Sequence, residues 1–183
     1  MKNELRRFYK ILRQKISPDD KKTWDQIIAK KVIESSYYKD ANSIFTYFSK
    51  NEEIDTKAII KKALDDKKKV YIPKVLDDKT MVPVLLNSFD DLVEGKFGIK
   101  SSKNTKTCKN PDLALVPGLA FDKNLYRLGL GGGFYDKYIK DHENTIFMGL
   151  FYDNSESFKL DIDDFDQSLE IIITEKKILK NPS

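Results

Sequence analysis

The sequence predicts a single-domain α/β protein, a three-layer sandwich around a mostly parallel sheet. Three observations carry this expectation. Short β-branched and apolar runs alternate with stretches of helical spacing, the order that builds βαβ units. The runs at 113–116, 146–151 and 171–174 are largely apolar at consecutive positions, as in strands buried on both faces. A chain of 183 residues can also bury roughly 70% of its unfolded surface in one core, so residues 1–183 are expected to fold as one domain without a staple.

Each element has its own signal. Leu5, Phe8, Leu12 and Ile16 recur at helical spacing, with Lys2, Arg6, Lys10 and Arg13 mostly on a second stripe, which predicts an amphipathic helix with a basic face. Ser17 offers an N-cap, Pro18 suits the first helical position and Asp20 supplies an acid three residues after the cap. They open a second helix through Trp24, Ile27, Ile28 and Val32. Rising β-branched and aromatic content predicts a strand at 43–48, helical spacing returns at 56–64, and short apolar runs at 70–73 and 81–86 read as strands. Residues 87–109 are polar and punctuated by glycine, so a loop with little regular structure is expected. A buried-type strand at 113–116 ends at Pro117 and Gly118. A helix from about 133 to 140 precedes the strand at 146–151, and 171–174 forms the last strand.

Composition excludes several classes of function. With only Cys108 and His142, there is no internal disulfide and no His/Cys cluster for zinc. No apolar run approaches the ~20 residues of a membrane span, and Met1 to Lys10 is charged where a signal peptide would be apolar. A cytoplasmic protein that does not partner a membrane is expected. The net charge of +4 comes from 33 basic and 29 acidic side chains spread along the chain, too balanced for a nucleic-acid partner.

Four of the eight glycines fall within five positions, at Gly129, Gly131, Gly132 and Gly133. Backbone without Cβ atoms can approach a phosphate and turn its N–H groups inward. The spacing is not the dinucleotide fingerprint, because its third glycine would fall on Phe134, and no Walker A loop occurs. A flexible turn is the alternative. The cluster does lie just ahead of a predicted helix N-terminus, which favours anions.

The polar residues around it each admit two readings. Asp136, in the first turn of that helix, either complements the helix dipole or ligates Mg²⁺ beside a substrate phosphate. Lys2 and Arg6, four residues apart, either form a solvated stripe or converge on a polyphosphate. Glu53 either caps a helix or faces a ligand at the carboxyl end of a strand.

Val116–Lys123 followed by Arg127, Leu128, Gly129, Leu130, Gly131, Gly132, Gly133, Phe134, Tyr135 and Asp136 closely resembles the signature of the 5-formyltetrahydrofolate cyclo-ligase family. Lys2, Leu5 and Arg6, the segment from Phe48 and Ser49 to Thr56, residues 72–74, and the stretch from Phe165 to Glu175 fall in the family's order. Many members carry Lys at the position of Gly132, and His and Pro at those of Phe165 and Ser168.

The resemblance implies ATP-dependent closure of 5-formyltetrahydrofolate to 5,10-methenyltetrahydrofolate with Mg²⁺, releasing ADP and phosphate. It also implies the fold shared with ribose-5-phosphate isomerase and CoA-transferase-like proteins. Carried over by position, Lys2, Arg6 and the stretch 127–135 match ATP contacts, with Arg127 and Asp136 expected to act in catalysis. Asp136 and Asp166 match magnesium-associated carboxylates, and Phe48 and Glu53 match folate contacts. The expected route activates the formyl oxygen by phosphoryl transfer, with no covalent enzyme intermediate and with only small molecules as partners of a monomer.

Overall fold

Burial on both faces organises the chain around one seven-stranded sheet. The computed structural model describes residues 1–182. It opens with helices α1 (Lys2–Gln14), α2 (Pro18–Glu34) and α3 (Ser36–Asp40), then strand β1 (Ser43–Thr46), α4 (Lys57–Asp65), β2 (Lys69–Val75) and β3 (Met81–Leu86). A small hairpin of β4 (Leu92–Val93) and β5 (Ser101–Ser102) follows, then β6 (Leu113–Val116) and a second hairpin of β7 (Ala120–Phe121) and β8 (Arg127–Leu128). The chain ends with α5 (Phe134–Asp141), β9 (Ile146–Leu150), β10 (Ile171–Ile173) and β11 (Ile178–Lys180). The sheet order is β11-β10-β9-β6-β1-β2-β3, parallel except at β2–β3 and β10–β11.

The strands alternate between two cores, as a pleat of period two requires. Ile44, Val70, Ile72, Leu113, Leu115, Met148 and Ile173 pack with α2, α3 and α4 on one face. Phe45, Tyr71, Ala114, Val116, Phe147 and Ile172 pack with Tyr138 and Ile139 of α5 on the other. The expected three layers and the mostly parallel sheet are present. Ser17 caps α2 by accepting from the Asp20 N–H at 3.1 Å, as its sequence position implies.

Several expectations needed correction. On α1 the residue buried is Tyr9, whereas Phe8 is 57% exposed, because the helix lies on the β7–β8 hairpin through Leu5, Tyr9 and Leu12. Ile27 is likewise exposed on α2, which instead buries Ala29 and Asp25. The stretch 87–109, expected to be a loop with little regular structure, does hold the short β4–β5 hairpin and two short 3-10 turns. The hairpin β7–β8, helix α3 and edge strand β11 are too short to carry a readable period, and no expectation covered them.

Strand order places the functional end of the sheet. From β1 the chain moves outward to β2 and β3, then returns through β6 on the other side of β1. The two segments leaving the carboxyl ends of β1 and β6 diverge and leave a crevice, the usual ligand position in open parallel sheets.

Candidate active site

A cleft of about 670 Å³ opens at that crevice, within the range of small-molecule sites. One wall comes from the segment after β1, with Tyr47, Phe48, Lys50 and Glu53; the opposite wall is Arg127, Gly129–Gly133 and Asp136. Arg6, Lys10 and Arg13 of α1 line it too, so three members of the basic stripe turn toward the cleft. Cations outnumber carboxylates along the lining, which favours polyanionic ligands.

The glycine wall owes its shape to local geometry. Gly131 and Gly133 have φ of +112° and +73°, a region that side chains rarely enter. Gly133 is the N-cap of α5, which leaves the first N–H groups of that helix facing the loop. At Gly129 a Cβ would come within 2.7 Å of the Arg127 guanidinium, so this glycine makes room for the arginine. Arg6 Nε donates to the Gly129 carbonyl at 3.0 Å and holds the loop against α1.

Arg127 is the least hydrated cation of the site. Its side chain is 3% exposed, and it pairs with the Asp136 carboxylate at 3.4 Å. Its Nε is buried with no hydrogen-bond partner, an unmet donor worth about 1–3 kcal/mol. Burial pulls its pKa down, an effect the Asp136 carboxylate opposes. Asp122 fixes the turn that delivers it: this buried carboxylate accepts from the N–H groups of Asn124, Tyr126 and Leu160. Asp122 falls within the signature-like stretch, but the sequence reading assigned it no role at the site.

The opposite wall is held by its own hydrogen bonds. Glu53 Oε1 accepts from the Lys50 N–H at 2.8 Å, and Lys21 Nζ donates to the Glu53 carbonyl at 2.9 Å. Burial raises the Glu53 pKa, against the Lys50 N–H and nearby positive charge. Phe48 stands edge-on to Phe89, 5.6 Å between centroids, with Lys57 over its ring. Glu53, with Glu52 beside it, and Asp136 thus place carboxylates on opposite sides of the cleft.

Not every residue expected at the site lines it. Leu128 is buried beneath the loop in the core shared with α1. Lys2 lies at the flank, where its Nζ donates to Asp163 at 2.5 Å and to Asp166 at 2.6 Å. Asp166 Oδ2 also accepts from the Asp163 N–H at 2.7 Å, while its neighbour Phe165 reaches the cleft. Residues the sequence did not single out for the site include Tyr47, Lys50, Met81, Phe97 and Ile99. They come from different segments that meet only through the fold. No group of three or more His, Cys, Asp or Glu side chains able to hold a metal occurs among the described residues.

Comparison with known proteins identifies the family. The model of the 5-formyltetrahydrofolate cyclo-ligase family matches residues 1–175. A probable 5-formyltetrahydrofolate cyclo-ligase of Caenorhabditis elegans is 32% identical over 152 residues, covering 78% of this chain and 74% of that one. The 5-formyltetrahydrofolate cyclo-ligase of Haemophilus influenzae is 32% identical over 136 residues, covering 70% and 73%. The fold superposes on the solved structure of Aquifex aeolicus 5,10-methenyltetrahydrofolate synthetase with a TM-score of 0.89 at 24% identity, covering 100% of this chain and 93% of that one. Since the family model matches nearly all of its length, the chain belongs to the 5-formyltetrahydrofolate cyclo-ligase family.

Proposed function

We propose that this protein closes 5-formyltetrahydrofolate to 5,10-methenyltetrahydrofolate at the expense of ATP, releasing ADP and phosphate, with residues 1–183 acting as one catalytic domain. The observation that carries the reading is the single cleft that joins the arginine-backed glycine loop to the Phe48–Glu53 wall. A phosphate donor and a donor-rich heterocycle can meet there.

The chemistry needs positioning and charge neutralisation more than a nucleophilic side chain. The γ-phosphoryl group passes to the formyl oxygen, which becomes a leaving group, and ADP departs. The second folate nitrogen then attacks the formyl carbon and loses its proton, and the C–O bond breaks to release phosphate. Arg127, dry and with its Nε unmet, stabilises charge on the transferring oxygens without reorganising. The N–H groups of the loop and of the first turn of α5 cradle the phosphates. Arg6, Lys10 and Arg13 attract the anionic parts of both substrates. Glu53 accepts hydrogen bonds from the pterin edge, and Phe48 supplies apolar contact.

The donor set fits one Mg²⁺ shared with substrate phosphates, since Mg²⁺ is commonly held by one or two protein carboxylates. Asp136 lines the cleft with an 18% exposed side chain and is the carboxylate we assign to it. Asp166, whose Oδ2 is paired with Lys2, is the second carboxylate we assign. The bound ion would neutralise charge across the phosphates. We read the protein as a cytoplasmic monomer without a nucleic-acid partner, a reading supported by its balanced charge and lone Cys108; no described helix is long and apolar enough to cross a membrane.

The test follows the absorbance of methenyltetrahydrofolate. Product should form from 5-formyltetrahydrofolate with ATP and not without it. ATP-independent turnover, or none with ATP, would replace this reading with a phosphate-binding protein of another activity.

A further inference from the structure

The tip of the β4–β5 hairpin carries a residue that is costly in two respects. Phe97 has φ of +57°, where a bulky side chain is a genuine outlier, and the residue is 64% exposed. It therefore gives little to the core while straining the backbone. Such strain persists where neighbours over-determine it, and it concentrates at ligand clamps. The neighbours here do so. A Cβ at Gly95 would collide with the Ile99 carbonyl, the Ile99 N–H donates to the Lys96 carbonyl at 3.1 Å, and Lys96 Nζ ties the tip to the Leu76 carbonyl at 2.7 Å.

The strained ring sits at the mouth of the cleft. Phe97 lines it, and its centroid is 6.3 Å from that of Phe134, the first residue of α5. The next residue, Gly98, faces Lys50 on the opposite wall, whose Nζ would lie 3.6 Å from a Cβ there. The tip thus spans from the phosphate loop to the segment carrying Glu53, with an aromatic face free for a planar ligand.

We propose that Phe97 is a clamp residue: its ring covers the bound folate and keeps water from the phosphorylated formyl carbon, so that the second folate nitrogen attacks it instead. This inference rests on the cyclo-ligase reading. The competing step is balanced and wasteful. If water attacks that carbon, the C–O bond to phosphate breaks, the formyl group is regenerated, and the net change is ATP plus water to ADP and phosphate with folate unaltered. A closed site suppresses this leak by excluding water.

The measurement is the ratio of phosphate released to methenyltetrahydrofolate formed, in the wild type, Phe97→Ala, Phe97→Gly and Phe97→Tyr. The wild type should give about one phosphate per product. Phe97→Ala and Phe97→Gly should raise the ratio to about two or more and raise the KM for folate by roughly 10-fold. Phe97→Tyr should restore coupling. Phe97→Gly removes the backbone strain, so its melting temperature should equal or exceed that of the wild type, the opposite of what a structural phenylalanine would show. An unchanged ratio in both Phe97→Ala and Phe97→Gly overturns the clamp. A wild type that makes no methenyltetrahydrofolate overturns the cyclo-ligase reading instead, so the two failures are distinguishable.

Discussion

The two walls of the cleft are built on opposite plans. The wall we assign to phosphate is one continuous run, residues 127–136, in which a buried arginine, left-handed glycines and the start of a helix follow each other directly. The wall we assign to folate is assembled from the segment after β1, the start of β3 and the tip of the β4–β5 hairpin, each brought there by a different part of the sheet. A contiguous site owes its geometry to local backbone, and an assembled one owes it to topology. The first kind should break at single residues with large losses of turnover, whereas the second should weaken binding by degrees.

Arg127 is where this contrast breaks most sharply. Its donors lie in a dry setting, so Arg127→Ala should lower turnover about 100-fold or more. Arg127→Lys keeps the charge, loses the planar fork and should cost roughly 10-fold. Steady-state kinetics with purified variants decides this, and wild-type rates for Arg127→Ala would remove the residue from the mechanism.

The next effect separates the walls directly. Asp136→Asn should depress turnover and make it depend on added Mg²⁺, while folate affinity measured without nucleotide stays near that of the wild type. Glu53→Gln should do the reverse, weakening folate by about 1–3 kcal/mol and sparing nucleotide. Its pH behaviour adds an independent check. Burial raises the Glu53 pKa above 4.5, so the folded state holds this proton more tightly than the unfolded chain, and ionising it at neutral pH costs stability. Glu53→Gln should therefore melt no lower than the wild type at pH 7, with any advantage fading as the pH falls toward 4.5. Folate affinity of the wild type should fall over the same interval as the carboxylate protonates. Identical patterns for Asp136→Asn and Glu53→Gln would erase the distinction between the walls.

The same contrast explains what could be read from the sequence. The helices were legible because their apolar residues repeat near 3.6, the strands because they are short, nearly continuous β-branched and apolar runs, and the glycine run because its chemistry is contiguous. Tyr9 was missed in favour of Phe8 because a helical stripe defines a face only to within one residue, and the β7–β8 hairpin that selects Tyr9 is too short to have a period. Phe97 was hidden in a polar stretch. Its signal is a backbone angle, and φ is not written in residue types when the residue is not glycine. Phe48 and Glu53 were identified only through the family resemblance and their place after a strand, since nothing local distinguishes Glu53 from Glu52.

The smallest expected effect concerns the flank of the phosphate wall, where two cations of one helix face differ in what they have left to give. Arg6 has its Nε on the loop carbonyl of Gly129 and faces the cleft, whereas Lys2 is engaged by Asp163 and Asp166. Burial works against the Lys2 charge, but the two carboxylates outweigh it and hold the pKa above its ordinary value, so the ammonium stays charged and paired throughout the neutral range. Reaching a phosphate would mean exchanging those partners, and partly exposed pairs of this kind contribute little when exchanged. Lys2→Met should therefore raise the KM for ATP no more than about 3-fold, and Arg6→Met should exceed it. Nucleotide titration at two salt concentrations checks the order: the Lys2 effect should shrink further with salt, as the screening of exposed charge requires. A loss of ATP affinity in Lys2→Met equal to that in Arg6→Met would show that nucleotide pulls Lys2 off its carboxylates. Asp166 would then be freed to join Asp136 at the metal.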